Sequence, residues 1–151
     1  MKLSHERLLE VVASLDTDLA ATTEQRLDPR LVLHATVFIA PCPGGRLVNG
    51  RCVDSTGADL PPGAAFAVRV QDLSAGGAAF QHFDPLPKNS LFVLDLPAAP
   101  HDDAPSSLRV LCRVLHSRVT AEHRFVIGSQ FIRIWTAPVP SLEAMRLSVT
   151  P

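Results

Sequence analysis

The sequence predicts a mainly β protein, an antiparallel six-stranded β-barrel with an N-terminal amphipathic helix and a short C-terminal helix. Three observations lead there. Between Leu31 and Trp135 apolar residues recur with a period of two, the alternation of half-buried strands. Eight glycines and 13 prolines among 151 residues punctuate the chain and favour many short elements over a few long helices. Turn signals separate the strand-like segments, and short strands with turns between them and helices only at the ends read as a closed antiparallel barrel.

The elements follow in order. Residues 4–20 set Leu8, Val12, Leu15 and Leu19 on one helical face, with Ser4 as N-cap and charges opposite. That apolar stripe has to cover something, either the barrel or a partner protein. Residues 21–30, ATTEQRLDPR, are polar, and Pro29 disfavours helix at Asp28, so they read as a connector. The chain thus divides into an N-terminal helix at 1–22 and a barrel domain at 23–151, which carries an inserted hairpin and loop at 43–63.

Within the barrel, Leu31, Leu33, Ala35, Val37 and Ile39 share one face of a strand. RLVNGRCV places Asn49-Gly50 between two three-residue arms, the composition of a type I′ hairpin. Phe66, Val68 and Val70 alternate with Ala67, Arg69 and Gln71 and run into DLSAGG. GAAFQHF and SLFVLDL are two further strands, and LRVLCRVLHSRV and RFVIGSQFIRIW form a long hairpin across TAEH. PSLEAMRLSV predicts a helix from near Ser141.

Apolar residues at 46% and charged residues at 19% describe a chain that folds. Fourteen basic against 15 acidic side chains leave a net charge of -1, so no global field draws in DNA, RNA or an anionic membrane, and any anion site is local. Glu6 and Glu10 break the first apolar stretch, unlike a secretion signal, and the three cysteines are an odd number, so the expectation is a cytoplasmic protein with free thiols. Charges interrupt every apolar run well short of the roughly 18–20 residues that span a bilayer, so no membrane insertion is expected.

Two motifs carry the chemistry: RLDPR, with Arg26 and Arg30 on the connector, and DLSAGG, with Asp72, Ser74 and Gly77 at a strand end. A guanidinium binds phosphate bidentately, forks onto a guanine edge or stacks on a base. A carboxylate accepts from the N–H groups of a purine edge, serine supplies a small donor, and glycine admits backbone to close approach. Singly, each motif also has a plain reading: a solvated arginine pair, and a tight turn capped by its own aspartate. Together, and in this order, they describe a site for a nucleotide with guanine and phosphate.

Other constellations carry less. Cys112, His116 and His123 lack a fourth ligand and the spacing of a structural zinc site, so no metal is expected. Ser74 sits outside any GxSxG elbow, and no paired carboxylates or activated nucleophile can be named, so the chain is not read as an enzyme and no cofactor is expected. Arg113, Arg118 and Arg124 read as a solvent face, one of them a candidate to extend the anion site.

RLDPR, then the strand LVLHATVFI, then VQDLSAGGAAF and the closing strand FVIGSQFIRI resemble the PilZ family over residues 26–134. The resemblance implies a six-stranded barrel that binds the bacterial second messenger cyclic di-GMP, with Arg26, Arg30, Asp72, Ser74 and Gly77 as ligand contacts. It implies a receptor that signals to a downstream protein partner by ordering the RxxxR connector on the barrel. The alternative is a PilZ-like interaction adaptor that binds no nucleotide. Arg30 and Asp72 lie 42 positions apart, and the extra length is the 43–63 insertion, placed to shield the ligand, meet a partner or decorate the barrel.

Overall fold

A computed structural model describes residues 1–15, 20–21, 31–97, 107–120 and 123–149. Helix α1 (His5–Ser14) and a two-residue strand β1 (Ala20–Ala21) precede the long strand β2 (Leu31–Cys42). The hairpin β3 (Arg46–Val48) and β4 (Arg51–Val53) follows, then β5 (Phe66–Leu73), β6 (Gly77–His82), β7 (Leu91–Pro97), β8 (Ser107–Val119), β9 (Phe125–Ile134) and helix α2 (Pro140–Val149). Strands β2, β5, β6, β9, β8 and β7 are neighbours in that order, and β7 pairs back onto β2, so six antiparallel strands close into the expected barrel.

Alternation fills the interior. Val37 and Ile39 of β2, Val68 and Val70 of β5, and Phe80 of β6 point into one apolar core with residues of the remaining strands. Phe80 and Phe92 meet edge to face there, with ring centroids 5.5 Å apart. The stripe of α1 belongs to the same core: Leu8, Val11, Val12 and Leu15 are buried among the barrel residues, so the helix closes the barrel on itself rather than waiting for a partner.

The helix is shorter than its sequence pattern. It starts as expected, with the Ser4 side chain accepting from the Arg7 N–H, but ends at Ser14. Leu15 is extended, and its N–H closes the last turn on the carbonyls of Val11 and Val12. Asp and Thr, which follow in the sequence, are poor helix formers. Ala20 and Ala21, expected at the helix end and the start of the connector, instead pair with Val32 and Leu31. Leu19, which the spacing placed on the same stripe, lies outside the described residues.

A second apolar cluster lies outside the barrel wall. Ala40, Cys42, Leu91, Val93 and Leu111 face outward and are covered by Cys52 of the hairpin and by Val139 and Leu142 at the start of α2. The Ser141 hydroxyl donates to the Gly63 carbonyl oxygen at 2.7 Å, fastening α2 to the insertion. Asn49 and Gly50 have φ of 51° and 76°, the left-handed pair that the type I′ hairpin requires. Asp95, 4% exposed, takes Arg109 at 3.4 Å, and Arg109 reaches Glu143 of α2 at 3.5 Å. Among the described residues, no helix is long and apolar enough to cross a membrane.

Candidate ligand-binding site

The DLSAGG segment is the turn between β5 and β6, and its hydrogen bonds are local. The Ser74 N–H donates to the Gly77 carbonyl oxygen at 2.9 Å, and the Ser74 hydroxyl reaches the same oxygen at 3.3 Å. Gly76 accepts from the Phe131 N–H at 2.8 Å, which fixes the turn to β9. Gly77 packs so closely on β9 that a Cβ would overlap the Ser129 carbonyl oxygen. Two of the motif residues therefore have structural duties in the turn, while both also line the adjoining groove.

That groove, about 430 Å³, lies on the outer wall of the barrel over β5, β6, β9 and β8. Strict alternation would send Asp72 inward with Phe66, Val68 and Val70. The register instead jumps between Val70 and Asp72, so Gln71 is the extra residue of a bulge and Asp72 pairs with Ala79 on the outer face. Leu73 then resumes the inward position and is fully buried.

A second bulge does the same at the other side. The β8–β9 register jumps between Val114 and His116, leaving Leu115 extra and setting His116 opposite Gly128 on the outer face. Asp72, Ala79, Gly128 and His116 are successive cross-strand partners and form one row across four strands. Two small residues thus make the floor, with a carboxylate at one end and an imidazole at the other. Arg118, opposite Val126, adds a guanidinium to the rim.

Of the three arginines on the last hairpin, only Arg118 lines this groove. Arg113 donates to the Gln130 side-chain oxygen at 2.8 Å and so holds a groove-lining glutamine, whereas Arg124 lies over the Phe83 ring, 5.3 Å from its centroid. Cys112 is buried in the core, which pushes its thiol well above the usual range, while His116 is on the outer face, so the two stand on opposite sides of the barrel wall. His123 lies in the hairpin turn with φ of 59°.

Arg26 and Arg30 lie outside the described residues. The ends of their segment are described. Ala21 pairs with Leu31, and on the other edge of β2 Leu31 pairs with Leu73 and Val32 with Asp72. The chain therefore enters the barrel, one residue after Arg30, directly beside the DLSAGG turn. The N-terminal segment meets the same turn, with the Leu3 N–H donating to the Ala75 carbonyl oxygen at 2.7 Å. Sequence reasoning missed His116 as a groove residue. Its signal was Gly128, a glycine inside a strand, which often marks a close approach.

A second cavity of about 290 Å³ lies between the hairpin and Trp135 and contains none of the motif residues. The sequence matches the family model of the PilZ domain over residues 24–138. No curated protein matches it significantly. Among solved structures, that of a K. pneumonia MrkH–c-di-GMP complex is similar, with a TM-score of 0.44 and 17% identity, over 85% of this chain and 52% of that one. The chain thus spans about half the length of that protein.

Proposed function

The chain belongs to the PilZ domain family, and from that premise we propose that it is a receptor for cyclic di-GMP which binds in the outer groove beside the DLSAGG turn. The observation that carries the reading is the register that pairs Leu31 with Leu73 and Val32 with Asp72. Two motifs 42 positions apart in sequence have their attachment points on adjacent strands. Arg26 and Arg30 bind the phosphates and guanine edges, Asp72 accepts from a guanine N–H edge, and the Ser74–Gly77 turn admits the ligand close to backbone.

No chemistry is done on the ligand. Its work is to draw the connector onto the barrel, an ordering transition of the kind that switches signalling proteins. Ordering about five residues costs roughly 1–2 kcal/mol each and is drawn from the binding energy, so affinity is near micromolar. The turn also holds the N-terminal segment through Leu3 and Ala75, which gives the closed connector a route to α1 and to a downstream partner.

Calorimetry tests this. The parent chain binds cyclic di-GMP, and Arg26→Ala and Arg30→Ala each weaken binding by roughly 10- to 150-fold, the loss of a charge-assisted hydrogen bond. A parent chain that does not bind, or a double variant that binds as tightly as the parent, overturns the reading, the first in favour of an adaptor without nucleotide.

A further inference from the structure

We propose that Cys42 and Cys52 are a redox-active dithiol, a modification site at which a small peroxide converts two free thiols into a disulfide that clamps the hairpin to the end of β2. This stands apart from the cyclic di-GMP reading. Cys42 closes β2 and Cys52 is the middle residue of β4, and the fold brings them together over Gly45. A Cβ at Gly45 would lie 2.7 Å from the Cys52 sulfur and 3.3 Å from Cys42 Cβ, so the missing side chain is what lets the two cysteines meet. Their thiols share a hydrogen bond. Backbone bonds anchor both: the Gly45 N–H donates to the Cys42 carbonyl oxygen at 2.9 Å, and the Leu60 N–H to that of Cys52 at 3.1 Å. Sulfurs in hydrogen-bond contact on anchored backbone need only turn their side chains to reach bonding distance.

The pair differs from Cys112 in partner and in access. Cys112 lies in the barrel interior, where its thiol donates to the Val110 carbonyl oxygen, and the other two cysteines belong to the outer apolar cluster. Cys42 and Cys52 are buried as well, but Cys52 lines the cavity of about 290 Å³ beside Trp135, which has room for a small peroxide. Burial raises both thiols, Cys42 to about 12. Their hydrogen bond then separates them, raising Cys42 and lowering Cys52, so Cys52 is the thiol that ionises and attacks. With hydrogen peroxide, the Cys52 thiolate forms an S–O bond as the O–O bond breaks. The departing hydroxide takes up the proton that Cys52 released, which leaves water and a sulfenic acid. The Cys42 sulfur then attacks the Cys52 sulfur, the S–O bond breaks, and hydroxide leaves with the Cys42 proton as a second water. Two thiols are oxidised to one disulfide, and one peroxide is reduced.

The experiment exposes the reduced full chain to millimolar hydrogen peroxide, removes the excess with catalase, and counts free thiols in denaturant beside a tryptic map made without reductant. Arg46 and Arg51 lie between the two cysteines, so a Cys42–Cys52 bond joins two separate tryptic peptides. The expected product is a single chain that has gone from three free thiols to one, carries that cross-link, and recovers all its thiols with dithiothreitol. Oxidation raises the thermal midpoint by roughly 5–10 °C, because the bond closes a loop in the unfolded chain. Cys112→Ser behaves like the parent, and Cys42→Ser stops at a Cys52 sulfenic acid that dimedone traps. Three thiols remaining, oxidation of single cysteines without the cross-link, a cross-link that includes Cys112, or a disulfide only between two chains overturns the proposal. A cross-linked chain that melts with the reduced one overturns the clamp. The peptide map of the parent decides the matter even where a serine variant fails to fold, and it does so whether or not the chain binds cyclic di-GMP.

Discussion

Gly77 does two things that no other residue can combine. It lies where a side chain would run into the Ser129 carbonyl oxygen, and its own carbonyl closes the turn with Ser74. Gly77→Ala therefore pushes β6 off β9 at the edge of the groove. The expected cost is about 1–3 kcal/mol, seen as a lower urea midpoint, together with weakened cyclic di-GMP binding. Unchanged stability would mean that the turn moves freely relative to β9. At this scale the sequence was readable where chemistry is local: DxSxxG has to be a tight turn, and it is one. It was unreadable where a bulge intervenes. Asp72 continues the inward series from Phe66 and His116 continues the one from Leu108, yet one extra residue before each turns both outward. Periodicity cannot report a bulge, which is why Cys112 and His116 looked like candidates for one cluster.

Among the elements, α1 is the one whose role the barrel decides. Its residues sit in the interior core with Val37 and Phe80, so the helix and barrel unfold together. Leu8→Ala, at a site 6% exposed, is expected to cost about 2–5 kcal/mol and to lower the single urea transition of the whole protein. An unchanged barrel transition would show the helix to be a detachable appendage. The helix start was legible from Ser4 and its stop was not, because strand pairing at Ala20–Ala21 sets the chain beyond it. The Asn49-Gly50 hairpin was legible to the residue, since two left-handed positions in succession have few other solutions. Strand β7 shows the opposite case. LFVLDL lacks alternation because Phe92, Leu94 and Leu96 fill the barrel while Leu91 and Val93 lie under α2 and the hairpin. The sequence contained both faces, but nothing in it said what covered the outer one.

Across the whole molecule the barrel wall is used differently on its two sides. Over β2, β7 and part of β8 the outer face is sealed by the insertion and α2. Over β5, β6, β9 and the rest of β8 it is left as a groove with a small-residue floor. The 43–63 insertion packs on the sealed side and fastens to α2, so its main contacts are away from the groove. The groove adjoins both the entry of the connector at Leu31 and the N-terminal segment at Leu3, and the proposed switch rests on that adjacency. The most direct test of that account is an amide-resolved NMR titration with cyclic di-GMP. Saturable shifts are expected at residues 72–79, at residues 128–130 and along the connector at 26–30, with the hairpin at 46–53 and the cavity beside Trp135 unmoved. Shifts centred on that hairpin and Trp135, with residues 72–79 and 26–30 silent, would contradict it.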